Sequence, residues 1–172
     1  QNQPADTDET GDDEADTTPA TYTYNYAMSE FPTNWNYHTY QTNTDAEILD
    51  YITAGFYTFD YNETVDGYAM VPGMAVGDPV DVTDQYVGKY GIVEGDKNKA
   101  YVLTLRDDLA WEDGTPITAH DFEYSWKRAA STQTAADYSY MFNGIKGYPD
   151  DLAVAASEDG KTVTISYEVN GE

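Results

Sequence analysis

Within residues 100–128 the hydrophobic pattern switches from the two-residue repeat of a strand to the roughly 3.6-residue repeat of a helix, and this switch constrains the fold more than any other feature. Tyr101, Leu103 and Leu105 alternate with Val102, Thr104 and Arg106, which predicts a strand with its larger apolar side chains on one face. Glu112-Asp113-Gly114 supplies a tight turn, and Pro116 fixes the exit from it. Thr118-Ala-His-Asp121 then opens a helix over 118–130. There the Thr118 hydroxyl is placed to accept from the Asp121 N–H, and the carboxylate suits the positive helix end. Phe122, Trp126 and Ala129 recur at i, i+4 and i+7, with Lys127 and Arg128 late in the helix, where its dipole favours cations. Trp111, Asp113, Gly114, Pro116, Phe122 and Trp126 are therefore expected to serve the fold, the acid–glycine pair as a turn and the aromatics as filling between helix and sheet.

Downstream, a hairpin is expected: a strand at 154–157, a turn at Glu158-Asp159-Gly160-Lys161 and a second strand at 162–169. Val163, Ile165, Tyr167 and Val169 alternate with Thr162, Thr164, Ser166 and Glu168, giving one buried and one wet face. Upstream, Thr21-Tyr-Thr-Tyr-Asn-Tyr26 has a strand period that places Tyr22, Tyr24 and Tyr26 on one face. After a loop over 31–40, Asp45 is expected to cap a helix carrying Ile48, Leu49 and Ile52 before Gly55. Glycine-punctuated short strands follow over 56–95. The class is a β-rich α+β arrangement, with no repeat of solenoid or propeller period.

Charge narrows the partners. A formal charge of −24, with 32 acidic against 8 basic residues, repels phosphate polymers and anionic membrane surfaces, so nucleic acid is excluded as a partner. Residues 1–20 carry Asp6, Asp8, Glu9, Asp12, Asp13, Glu14 and Asp16 with no side chain fit for a core, and are expected to be a disordered acidic tether or a solubility tail. With 0 cysteines, disulfides and thiolate metal sites are unavailable. The chain opens on Gln1 and continues in polar residues, so any export leader or lipid-anchoring cysteine is expected outside this sequence. Tyrosine outnumbers the other aromatics, 17 against 5 Phe and 3 Trp, a palette for half-buried strands and polar ligand surfaces.

Catalysis finds no foothold. The sequence has no Gly-x-Ser-x-Gly or phosphate loop, and the adjacent acids Asp107-Asp108 and Asp150-Asp151 point apart, which leaves a glycosidase the weakest of the readings. His38 and His120 are too few for a zinc site, and residues 60–67 fail the EF-hand template because glycine is misplaced, so no metal and no cofactor are expected. Binding has a better candidate in Asn34, Trp35, Asn36 and His38. Amides and rings in a loop suit a peptide backbone and side chain; the same residues also suit an ordinary surface loop with Trp35 tucked into the core.

The run from Tyr101 to Arg128, with its strand ending in Arg106, its Trp111-Glu-Asp-Gly-Thr-Pro116 turn and its Thr118-Ala-His-Asp-Phe-Glu-Tyr-Ser-Trp126 helix, resembles the signature of oligopeptide- and dipeptide-binding proteins of ABC importers. Thr33-Asn-Trp-Asn-Tyr-His-Thr-Tyr40 and Val71-Pro-Gly-Met-Ala75 resemble other segments of the same family, family 5 of the extracellular solute-binding proteins, while the polar stretch 76–98 is longer than its counterpart there. The resemblance implies part of a class II periplasmic-binding-protein-like fold with two lobes. In it, residues 21–58 are the first segment of ligand-binding lobe I, and 59–172 form mainly the satellite subdomain. It implies no enzyme but the substrate-binding component of an ABC transporter, capturing extracellular oligopeptides for import. Its expected partners are a peptide and the cognate ABC permease, and it is expected to be a monomer at the cell surface on a lipid anchor, or periplasmic. Relatives also take nickel complexes, haem and oligosaccharides; the alternative from composition alone is a cell-surface adhesin or carbohydrate-binding module.

Overall fold

The computed structural model describes residues 23–168, so the acidic stretch 1–20, Tyr22 and Val169 lie outside the described residues. Among the described residues two α-helices, α1 (Asn43–Ile52) and α2 (Ala119–Ala130), accompany six strands: β1 (Tyr57–Asn62), β2 (Gly67–Pro72), β3 (Val80–Asp81), β4 (Ala100–Thr104), β5 (Val154–Ala156) and β6 (Thr162–Ser166). The last four form an antiparallel sheet in the order β3-β4-β6-β5, while β1 and β2 form a separate hairpin. The architecture is α+β, as the period switch predicts.

The sheet is covered on both faces. Leu103 and Leu105 of the β4 segment join Val154, Val163 and Ile165 in the main core, against which α2 lays Ala119 and Ala130. Fully burying a side chain of the size of Ile165 contributes roughly 1.5–3 kcal/mol. On the opposite face, Ala100 and Val102 meet Val82 and Ile92 in a smaller core. The long polar stretch 76–98 therefore serves as a lid for the second face of β4. Asp81 ties it down, accepting from the backbone N–H of Thr83 at 2.9 Å and of Asn98 at 3.1 Å.

Helix α2 starts where its sequence signal places it. The Asp121 carboxylate accepts from the Thr118 N–H at 2.7 Å and from its hydroxyl at 3.0 Å, which closes the capping box. Glu123 bonds the helix to the sheet, accepting from the Ala156 N–H at 2.9 Å. Phe56 enters the core from the other side and stacks on Phe122 with ring centroids 4.3 Å apart; Trp126 meets Phe56 edge-on at 5.8 Å. Gly73 permits this entry: a Cβ there would stand 2.8 Å from the Gly55 carbonyl oxygen, while the Gly73 N–H donates to the Phe56 carbonyl at 2.8 Å.

Several expectations are corrected. Residues 23–28 form no strand, because among the described residues nothing pairs with them; Tyr24 and Tyr26 nonetheless stack at 6.2 Å, as their spacing suggests. The N-cap of α1 is Thr42 and not Asp45: the Thr42 hydroxyl accepts from the Asp45 N–H, which frees the Asp45 carboxylate for other donors. Ile52 faces solvent. Ser166 is buried and not wet, because the turn after Phe142 folds over that end of β6, with the Lys146 N–H donating to the Ser166 carbonyl at 2.8 Å. Trp111 fills no core; it stands 54% exposed beside its turn, whose Gly114 has φ +85°.

Ile165 is 2% exposed and Ile52 67%, so truncation should separate them. Ile165→Ala is expected to lower urea-unfolding stability by about 2–5 kcal/mol and Ile52→Ala by no more than about 0.5 kcal/mol. Equal losses in the two variants would contradict the placement of the core.

Candidate functional site

One carboxylate builds the N-terminal loop. Asp45, 1% exposed, accepts from the backbone N–H of Thr33 at 2.6 Å and of Asn34 at 2.9 Å. The Asn34 N–H, supported by the Thr42 and Thr33 donors, outweighs burial and holds the Asp45 carboxyl below the usual carboxylate range. With its backbone fixed, Asn34 turns its side chain inward: the amide donates to the Thr39 carbonyl at 2.7 Å, and the amide oxygen accepts from the Asn36 N–H at 2.9 Å. Asn36 repeats the device, accepting from the His38 N–H at 3.0 Å. Successive side-chain-to-backbone turns of this kind hold a loop without regular structure. Trp35 is left 61% exposed at its tip, not tucked into the core, and Tyr37 is exposed beside it.

The loop is fastened to the sheet-bearing part of the chain through its far end. The Asp137 N–H donates to the His38 carbonyl at 2.9 Å, and the Tyr40 ring lies 5.3 Å from that of Tyr138. Between these contacts and the Phe56–Phe122 stack runs an open groove of about 1320 Å³. Phe56, Phe122, Trp126 and Phe142 supply its aromatic wall, with Trp126 and Phe142 edge-on at 5.5 Å; Trp111 and Arg106 stand at its mouth. The Arg106 side chain is fixed there by a fork to Asp108, at 2.9 and 2.6 Å, and by the Gly73 carbonyl at 3.2 Å. An apolar wall with a few fixed polar groups is what a groove needs to hold an amphipathic ligand.

Of the sequence candidates, His38 lines this groove, and it also lines a smaller cleft on the far side of α2 together with Asn36. Asn34 is spent on the loop itself. Phe122, Trp126 and Trp111 come to the groove although expected only to support the fold. Sequence reasoning missed Phe56, Tyr40 and Phe142, aromatic residues in irregular segments where no period marks a face.

Residues 70–170 match the family model of bacterial extracellular solute-binding proteins, family 5, middle region. The chain belongs to this family. Among curated relatives, this family 5 chain is 45% identical over 94 residues to the periplasmic oligopeptide-binding protein of Escherichia coli and 41% identical over 72 residues to the dipeptide-binding protein of Lactococcus lactis. These matches cover 46% and 42% of the chain but only 17% and 13% of the relatives' own length. Among solved structures it is similar to the pheromone receptor PrgZ, described with its mode of peptide binding, with a TM-score of 0.61, 26% identity, and coverage of 80% of this chain and 25% of that one. The fold is thus a part of the class II two-lobe architecture, and the adhesin reading draws no support from these relatives.

The Asp45 staple predicts a pH dependence. A carboxyl with a lowered folded-state value stabilises the loop above the ordinary aspartate range and loses that contribution as pH falls through the lowered value. The amide proton shifts of Thr33 and Asn34 are therefore expected to titrate with a midpoint below about 3.9, the ordinary aspartate value. A midpoint at or above that value contradicts the staple.

Proposed function

We propose that this chain is one segment of a solute-binding component of an ABC importer that captures extracellular oligopeptides, and that it acts by binding and not by catalysis. The aromatic groove beside the Trp35–His38 loop is the observation that carries the reading. A peptide offers alternating backbone amides and side chains, and the groove offers rings for the latter while His38 on its lining, with Asn36 two residues before it on the loop, offers polar groups for the former. In this reading Asn34 is a positioning residue. Trp35, Asn36 and His38 are the contacts this chain gives to the ligand, with no metal or cofactor required. Residues 21–58 belong to the ligand-binding lobe and 59–172 to the satellite subdomain in this reading, with Phe56 and the start of β1 packed into the second part as the join between them.

The relatives named above are binding proteins for oligopeptides, dipeptides and a pheromone, which supports a peptide over a sugar as ligand. The remaining partners follow from the same role: a cognate permease, and a lipid anchor or a periplasm to keep a monomeric capture protein near it. Among the described residues no helix is long and apolar enough to cross a membrane.

Isothermal titration with a mixed library of short peptides tests the proposal. The whole protein carrying this segment is expected to bind, and the 172-residue chain alone to give no saturable heat, because a groove open on one side leaves too much of a peptide in water. Absence of binding by both would refute the peptide assignment.

A further inference from the structure

Helix α2 presents three faces. Ala119 and Ala130 face the sheet, and Phe122 and Trp126 face the groove. A third stripe, His120, Tyr124, Lys127 and Ser131, spaced three or four residues apart, lines a separate cleft of about 710 Å³ closed on its other side by Asn36, His38 and Thr39. The peptide reading draws on Asn36 and His38 at the rim of this cleft and leaves its Lys127–Arg128 side without a role.

Its charge is the reverse of the chain's. Against a formal charge of −24, the cleft gathers Lys127, Arg128 and both of the 2 histidines, with Glu123 as its lining carboxylate. Glu123 is already engaged: one oxygen accepts from the Lys127 ammonium at 2.6 Å and the other from the Ala156 N–H at 2.9 Å. The flanking carboxylates are engaged as well, Asp150 by the Thr132 N–H at 2.9 Å and the Ser131 hydroxyl at 3.2 Å, Asp137 by the Gln41 amide at 3.3 Å. Arg128 differs. Among the described residues it forms no salt bridge, and the bond drawn from its guanidinium is one of 3.5 Å to the Tyr124 hydroxyl. A guanidinium carries five donors in a planar fork that matches two oxygens of one anion.

We propose that this cleft is an oxyanion site, taking the carboxylate or phosphate group of a small ligand on the Arg128 fork, with Lys127 holding Glu123 neutralised beside it and the Asn36 and His38 side chains completing the rim. Three His, Cys, Asp or Glu side chains fit to hold one metal ion do not converge anywhere among the described residues, so the chemistry on offer is that of an anion and not of a divalent cation. The cleft shares His38 with the peptide groove, while Arg128 and Lys127 line the cleft and not the groove.

Titration of the 172-residue chain with inorganic phosphate, with succinate, and with sodium chloride at matched ionic strength, at a fixed pH near neutrality, tests the proposal by NMR, using the ring protons of His38 and His120 as reporters. Saturable shifts with phosphate or with succinate, absent with chloride, are expected; which anion saturates identifies the ligand group. Arg128→Gln should weaken that anion about three- to fivefold, and Arg128→Lys less, since charge remains while the fork is lost. Both variants sit on an exposed side chain and should keep the helical circular dichroism of the parent. Shifts that follow ionic strength alone, or an affinity unchanged in a folded Arg128→Gln protein, overturn the proposal.

Discussion

The stack of Phe56 on Phe122 is the contact on which the rest depends. It joins a residue from the irregular segment after α1 to the middle of the structure, and Trp126 and Phe142 build outward from it. Four consequences share that origin. Phe56 closes the core under α2; its carbonyl receives the Gly73 and Ala75 N–H groups, which aligns the β1–β2 hairpin. The Ala75–Leu105 bridge then continues the sheet, and the exposed side of the aromatic cluster becomes the groove wall. Aromatic pairs of this geometry contribute about 0.5–1.5 kcal/mol beyond their buried area.

Acidity in this chain is more than a solubility device. Asp45, Asp81, Asp96, Asp113, Asp150 and Asp159 each accept from a backbone N–H of a turn or loop, and each is held below the usual carboxylate range mainly by hydrogen bonds. A fold with short strands and long connections has many orphan backbone donors, and carboxylates satisfy them where secondary structure does not. All six contributions have the same sign: present above the ordinary aspartate range, lost as pH falls through the lowered values. The same economy explains the Arg128 cleft, where the carboxylates near the guanidinium are already committed to other donors.

How much of this was legible in the sequence depended on whether a pattern was local. Strand β4, helix α2 and the β5–β6 hairpin carry their own period and caps and form where expected, although β6 stops at Ser166 and leaves Tyr167 exposed. Asp45 was the expected cap of α1, but Thr42 caps it and the Asp45 carboxylate goes to Thr33 and Asn34, donors more than ten residues away in sequence that no local rule sees. Tyr24 and Tyr26 kept their shared face but found no strand partner, since pairing is a property of neighbours and not of propensity. The groove was invisible because it is assembled from separate segments around 38, 56, 111, 126 and 142, and only Trp111 and Trp126 had a motif to announce them. Family membership was legible because the signature run, residues 101–128, lies within the matched region.

The central claim is that the loop built by Asp45 gives this chain's contacts to a captured peptide. Hydrogen–deuterium exchange on the whole protein, with and without a saturating peptide mixture, addresses it most directly. The account predicts slower exchange at residues 33–40 when peptide is bound; protection confined to segments outside residues 23–168 would contradict it.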